Sequence, residues 1–194
     1  VKLILEILEN ATGKSYETLA TELFANQGMK NSFYPNEINE RKRINSFFVS
    51  KEDGQRYNLV EKCPFAPNLF PGSHLLITAE DLAIWNHRLH NGKILKNESY
   101  QKMINYSITN IHTLFSESEI GYGYGLRIND KDSIYEIGHT GFHPSEGFTA
   151  VNLYYPKCKT SVIVMENQAN ENFDIAYYFE QEIRNIVKES SLLK

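Results

Sequence analysis

The chain has 194 residues, with 20 Lys and Arg against 24 Asp and Glu, a net charge of -4 and no basic block. That length supports one domain of ordinary size with a real core, a hydrophobic share of 41% argues against disorder, and the lack of a basic patch excludes nucleic acid as a natural partner. No apolar run approaches the ~20 residues of a membrane span; the longest are Leu3 to Leu8 and Val162 to Met165. The chain opens on Val1 and enters an apolar stretch at once, as a chain cut from a longer one does.

Val1, Ile4, Leu5 and Leu8 recur at helical spacing, and Ala11-Thr12-Gly13 ends that helix. With Leu3 and Ile7 it is apolar on most sides, so it needs covering by chain beyond these residues. Ser15 is an N-cap for a second helix with Tyr16, Leu19, Leu23 and Phe24 on one face and Gly28 closing it, which makes a helical hairpin. From Lys30 to Phe70 the periodicity fades, leaving short strands around Ser46 to Val49 and Arg56 to Val60. The mixed charges Glu40-Arg41-Lys42-Arg43 read as a solvated face.

Order returns at Thr78-Ala79-Glu80-Asp81, an N-cap and acidic first turn, followed by the stripe Leu82, Trp85, Leu89 and a stop at Asn91-Gly92. Trp85 reads as core rather than as a ligand platform. A short helix from Glu98 to Asn105 follows. Tyr122 to Ile128 then reads as a strand, Asn129 to Asp132 as a turn and Ile134 to His139 as the hairpin partner. Two more strands follow Gly147 and Lys159, joined through Pro156-Lys157. A last helix from about Asn172 to Glu189 places Ile175, Tyr178, Phe179, Ile183, Ile186 and Val187 on one face.

One stretch carries chemistry. Glu136-Ile137-Gly138-His139-Thr140-Gly141-Phe142 sets a titratable ring, a hydroxyl and bare backbone side by side at the end of an alternating run. Glycines on both sides allow a ligand or another strand to approach. The same residues also fit an ordinary strand end with turn glycines. His139 and His143 at a spacing of four do not read as a metal pair, because Gly141 and Pro144 oppose a helix there and no Glu follows His139. His74, His87, His90 and His112 read as surface or core histidines. Cys63 and Cys158 can pair or stay free, and their spacing makes neither a zinc nor a redox motif.

The landmarks "ILEILENATGKSYETLATELFANQGMKNSF", "PGSHLLITAEDLAIWNHRLHNGKIL", "YGYGLRI", "GHTG" and "GF", followed by a strand pair and a terminal helix, stand in one order. That order resembles the C-terminal part of the serine β-lactamase and penicillin-binding protein superfamily, in its class C, D-alanyl-D-alanine carboxypeptidase and esterase-like branch. The resemblance implies an α+β fold, an antiparallel sheet packed with a C-terminal helix plus a helical region, here incomplete. Residues 1–110 would form the mostly helical region and 111–194 the strands and terminal helix, as one interdependent unit.

Three motifs serve that family: Ser-x-x-Lys with the nucleophile, Tyr-x-Asn, and Lys/His-Thr/Ser-Gly on a cleft strand. The resemblance puts the first two upstream of Val1 and leaves the third at His139-Thr140-Gly141. Ser99-Tyr100-Gln101-Lys102, Ser191-Leu192-Leu193-Lys194 and Tyr34-Pro35-Asn36 match the patterns literally but stand at the wrong landmarks. The implied function is the C-terminal part of a serine acyl hydrolase that works through an acyl-enzyme. Its nucleophile segment would lie outside this chain, and the chain alone would be inactive. A catalytically inactive binding module is the alternative.

By the same resemblance His139 and Thr140 are the catalytic candidates. Thr140 offers its hydroxyl to a substrate carboxylate or carbonyl, and His139 stands near the catalytic Tyr where many relatives have Lys. Gly141 and Phe142 are the substrate-binding candidates, Gly141 by letting substrate lie along the strand and Phe142 by giving its N–H to an oxyanion hole. Phe142 is bulkier than relatives have there, and the five residues Phe142 to Glu146 exceed the commoner three, so the cleft is either narrowed or its pocket reshaped. The implied partners are a small-molecule or peptide substrate with a carbonyl and a carboxylate, and the N-terminal segment of the same fold. No cofactor and no metal are implied, and the implied location is extracytoplasmic.

Overall fold

The structure is a computed structural model that describes residues 2–34, 44–59, 75–111, 119–131, 134–143 and 147–191. The chain starts with two helices, α1 (Lys2–Thr12) and α2 (Tyr16–Gln27). The Ser15 hydroxyl caps α2 by accepting the Thr18 N–H at 3.2 Å, and Gly28 closes it at φ 74°, so the helical hairpin is formed as its caps dictate. Leu5 of α1 is buried, while Leu3, Ile4 and Ile7 are 69%, 61% and 57% exposed. The apolar surface expected from the sequence is thus left open to solvent.

Two short strands follow, β1 (Phe47–Val49) and β2 (Arg56–Asn58), then helices α3 (Ala79–His90) and α4 (Asn97–Ile104). Asp81 is the anchor of α3. Its amide is capped by Thr78, and its buried carboxylate accepts the Asn31 N–H at 2.7 Å and the Ser32 hydroxyl at 2.8 Å, which ties α3 to the end of the hairpin. Trp85 packs with Ile84 against Ala20, Phe24 and Met29, so the tryptophan is core as expected. Among the described residues no helix is long and apolar enough to cross a membrane.

The second half builds a six-stranded antiparallel sheet in sequence order: β3 (Ile108–Ile111), β4 (Glu119–Tyr122), β5 (Arg127–Asn129), β6 (Glu136–His143), β7 (Phe148–Tyr155) and β8 (Thr160–Glu166). A short β9 (Gln168–Asn170) and the helix α5 (Phe173–Glu189) end the fold. β9 pairs in parallel with β1, which pairs antiparallel with β2, so the first half of the chain adds a small sheet beside the second. Alternate residues Val151, Leu153 and Tyr155 of β7 are buried against Ile183 and Val187 of α5, as packing a helix on one face of a sheet requires. On the other face the buried Asn86 of α3 donates to Asn152 Oδ1 of β7 at 2.5 Å and to Ser161 Oγ of β8 at 3.2 Å.

The structure corrects two sequence expectations. Tyr122 to Ile128 is not one strand: β4 ends at Tyr122 and β5 begins at Arg127, with a tight turn between. Gly125 takes φ 75° and the Gly123 N–H closes on Leu126 O at 2.9 Å, so the two glycines turn the chain. The second correction is the buried face of α5. Ile175, Tyr178 and Ile186 are 53%, 57% and 65% exposed, while Glu180 and Arg184 are buried with Ile183 and Val187. The apolar stripe read from the sequence therefore faces outward on three of its members. Two charged side chains face inward because they neutralise each other.

That neutralisation is a chain of charges beneath β6. Arg184 reaches Glu136 of β6 through Nε and Nη2, at 2.9 and 2.6 Å to Oε1, and the Tyr155 hydroxyl donates to Glu136 Oε2 at 2.9 Å. Arg184 Nη1 lies 2.6 Å from Glu180 Oε1, an electrostatic contact outside hydrogen-bond alignment. Glu180 lies 3.7 Å from Arg127 of β5. Two cations thus alternate with two anions. Burial pushes the Tyr155 phenol far above its ordinary range, with the Glu136 charge adding to the effect.

His90 of α3 makes a separate polar contact, stacked on Tyr154 with centroids 3.9 Å apart and hydrogen-bonded through Nδ1 to the Tyr100 hydroxyl, 2.8 Å away. Burial holds its pKa down at about 4.

Two predictions follow from this packing. Arg184→Met leaves Glu136 and Glu180 buried without their shared cation and lowers unfolding free energy by about 3–5 kcal/mol, whereas Ile186→Lys on the exposed side of α5 changes it by less than about 0.5 kcal/mol. Urea titration of both variants checks the pair, and equal losses would reverse the assignment of the buried face. His90 folds neutral but is protonated when unfolded below pH ~6.5. Its contribution is therefore complete above that pH and lost as pH falls toward about 4. The loss is on the order of 2 kcal/mol after allowance for partial exposure. Denaturation curves at pH 7.5 and 4.5 should show a smaller fall for His90→Phe than for the parent chain.

Candidate active site

β6 is long because it is built to be held from one side. β7 pairs with it from Ile137 to His143, but β5 pairs with it only from Glu136 to Gly138. Among the described residues, no strand accompanies residues 139–143 on the β5 side. The two glycines of the motif do different work. A Cβ at Gly138 would stand 2.2 Å from Asn152 O and 3.0 Å from Leu153 Cα, so this position demands glycine for the close approach of β7. At Gly141 the nearest atom to a Cβ is that of Ala150, at 4.0 Å, and the residue is exposed. Gly141 therefore keeps open space over the strand rather than relieving a clash.

Thr140 is buried on the face toward α5, and its Oγ1 accepts from Arg127 Nη1 at 2.7 Å. The arginine side chain is 19% exposed, so it spans from the buried Glu180 to the open edge. Arg127 and Thr140 stand together because the β5–β6 register places Arg127 opposite Gly138, two residues from Thr140 on the same face. The Thr140 hydroxyl thus lies between the Arg127 guanidinium and the Glu180 carboxyl, whose pKa its hydrogen bond lowers against the raising effect of burial.

His139 has both ring nitrogens engaged. Nδ1 lies 2.5 Å from the Thr140 carbonyl oxygen and Nε2 lies 3.0 Å from the Tyr122 hydroxyl. A carbonyl oxygen only accepts, so Nδ1 carries the proton and Nε2 of the neutral ring accepts from Tyr122. Burial holds the His139 pKa below its ordinary value and the Arg127 charge lowers it further, against the opposing bond to Thr140 O. The imidazole is uncharged at pH 7. Phe142 is half-buried opposite Thr149 of β7. Of the loop behind it, residues 144–146 lie outside the described residues, as do Cys63, His74, His112, Pro35, Asn36 and Glu40 to Arg43.

The structure therefore brings His139, Thr140 and Gly141 to one open strand edge and adds Arg127, Glu180 and Tyr122, which the sequence reading missed. Arg127 stood inside the landmark "YGYGLRI", and a lone cation in that aromatic run, one hairpin before the motif, was the available signal. Ser99 is exposed on α4, and the Lys102 ammonium donates to Glu98 at 2.8 Å. Tyr34 packs edge-on to Tyr16, with ring centroids 6.0 Å apart. Ser191 follows the end of α5. Cys158 is a free thiol directed at Tyr155 O.

Known proteins place this architecture. The D-amino acid amidase of Ochrobactrum anthropi SV3, solved with D-phenylalanine, superposes with a TM-score of 0.71 at 18% identity over 97% of this chain and 59% of its own. A penicillin binding protein from Bacillus halodurans gives 0.66 at 19% identity over 94% and 53%. The beta-lactamase/D-alanine carboxypeptidase of Yersinia pestis, solved with citrate, gives 0.64 at 16% identity over 99% and 53%. The chain thus spans little more than half the length of these structures, and they share its fold. No curated protein matches it in sequence. The profile of the Beta-lactamase family matches residues 1–183, and the chain belongs to that family.

Proposed function

We propose that this chain forms the strand side of a serine acyl hydrolase site that cleaves an amide or ester through an acyl-enzyme. The observation that carries the reading is the open edge of β6, where Arg127 donates to Thr140 beside backbone that no described strand covers on the β5 side. A substrate carboxylate binds at Arg127 and Thr140 while its backbone lies along Gly141 as an added strand. The Phe142 N–H supplies one of the two oxyanion donors. The nucleophile and the second donor come from chain outside these residues. Lys102 is engaged with Glu98, both ring nitrogens of His139 are taken, and Ser99 is exposed on α4, so none of these forms an activated serine. Several neighbours are named for D-amino acid amides or D-alanine peptides, which favours a D-configured acyl compound as substrate.

One observation favours a second reading, an inactive interaction module: the exposed Leu3, Ile4 and Ile7 of α1 form an apolar face of the kind used for docking.

Labelling with a fluorescent penicillin, read together with intact mass, separates the two. The 194-residue chain is expected to remain unlabelled while a longer polypeptide containing it is acylated; label at the mass of the chain itself would refute an external nucleophile. In the complete enzyme Thr140→Val removes a hydrogen bond to a charged group. It should lower kcat/KM for a carboxylate-bearing substrate about 10–100-fold, and much less for the matching methyl ester. An equal loss for both substrates would remove Thr140 from carboxylate recognition.

A further inference from the structure

We propose that Glu180 is a positioning residue of the β6 edge, and that a carboxylate bound at this edge makes the buried glutamate take up a proton. The inference rests on the carboxylate reading above and follows from counting charges. Among the described residues the cluster under β6 holds two cations, Arg184 and Arg127, and two anions, Glu136 and Glu180, so it is balanced as it stands. A ligand carboxylate is a third anion for the same two cations. An excess negative charge in so buried a cluster is costly, and a proton from solvent removes it.

Geometry selects the carboxylate that accepts the proton. Glu136 receives Nε and Nη2 of Arg184 at 2.9 and 2.6 Å and the Tyr155 hydroxyl at 2.9 Å, so both of its oxygens are hydrogen-bonded. Glu180 is held less well: Arg184 Nη1, 2.6 Å from Oε1, is out of hydrogen-bond alignment, and Arg127 Nη1 is 3.7 Å away. Its side chain is 1% exposed, and burial pushes its pKa upward against the pull of Arg184, Arg127 and the Thr140 hydroxyl. The groups facing it are Arg184 from α5, Arg127 from β5 and Thr140 from β6, with Glu136 of β6 and Tyr155 of β7 beyond Arg184.

Thr140 links this carboxyl to the edge. A guanidinium only donates, so Thr140 Oγ1 accepts from Arg127 Nη1 at 2.7 Å, and the single hydroxyl proton goes to the ionised Glu180. Ionised Glu180 therefore competes with a ligand for both the Arg127 charge and the Thr140 proton. Once protonated from solvent, Glu180 donates to the second lone pair of Thr140 Oγ1, and the Thr140 proton turns outward to the ligand carboxylate. Affinity then rises as pH falls toward the Glu180 titration, and at higher pH each binding event draws a proton from solvent.

The test titrates the 194-residue chain with N-acetyl-D-alanine between pH 8 and pH 6, with N-acetyl-D-alanine amide as the uncharged control. Affinity is read from the amide shifts of Thr140 and Gly141, and the charge of Glu180 from the carbon shift of its side-chain carboxyl. The acid is expected to bind more tightly as pH falls, approaching about tenfold per pH unit, the slope for one proton. Saturation should move the Glu180 carboxyl signal to its protonated position at a pH where the free chain is ionised. Glu180→Gln, an uncharged isostere, should bind the acid with a flat pH profile and more tightly than the parent chain does at pH 8. A Glu180 carboxyl signal that stays in place on saturation, or a pH slope that survives in Glu180→Gln, assigns the proton elsewhere, His139 included, and overturns the role of Glu180 while the carboxylate reading stands. If neither chain binds the acid better than the amide at any pH, that reading falls and this inference with it.

Discussion

The chain of charges from Glu136 through Arg184 and Glu180 to Arg127 is the constraint on which the rest of the structure depends. Burying any one of these groups alone costs several kcal/mol, and a buried pair is often no more stable than apolar residues of the same volume. Its value here is therefore positional. An apolar α5 could slide or rotate over the sheet at little cost, whereas a carboxylate gripped by two guanidinium nitrogens fixes where the helix sits over β6. The same chain ends at Arg127, and the last cation lands on the Thr140 hydroxyl instead of waving in solvent. The helix that seals the core also sets the electrostatics of the open edge.

Geometry at that edge comes from unequal strand lengths. β5 has three residues and β6 has eight, so β6 projects beyond its neighbour by the five residues 139–143, which include the motif. A projecting edge is an aggregation hazard that folded proteins cover or charge. In this chain the edge carries Arg127 and a polar threonine, and its backbone is spaced from neighbours by Gly141. The turn at Gly123 to Leu126 stops β5 from running the full length of β6. Had Tyr122 to Ile128 been one continuous strand, the edge would have been paired and closed. The corrected turn is thus the feature that opens the site.

Much of this was legible in the sequence where local chemistry decides the outcome. Ser15, Thr78 and Gly28 announce helix ends because caps act within one turn, and the alternation of Phe148 to Tyr155 announces a strand because one face must be dry. The His139-Thr140-Gly141 strand was legible as a place, and its neighbours were not. Arg127, Glu180 and Tyr122 reach it through register and helix rotation, which depend on pairings between residues 13 to 40 positions away. The α5 error has the same origin. Periodicity chose Ile175, Tyr178 and Ile186 for the core because hydropathy assigns each residue a cost by itself. Glu180 and Arg184 are inside because that cost is set by the pair. β9 was illegible for a related reason: a three-residue strand exists only because β1, more than a hundred residues earlier, lies beside it.

The neutral histidine follows from the same electrostatics. The position of His139 is one where the family often carries lysine, and a lysine there would add a second full charge to an edge that already holds Arg127. Coulomb repulsion between two cations that share a half-buried space opposes that arrangement, and burial opposes it further. A histidine escapes both costs by shedding its proton, as burial and the Arg127 charge together drive it to do. The edge then holds one cation, Arg127, with an uncharged ring bonded to the Tyr122 hydroxyl. His139 and Arg127 thus share one electrostatic environment, in which the ring stays uncharged beside the cation.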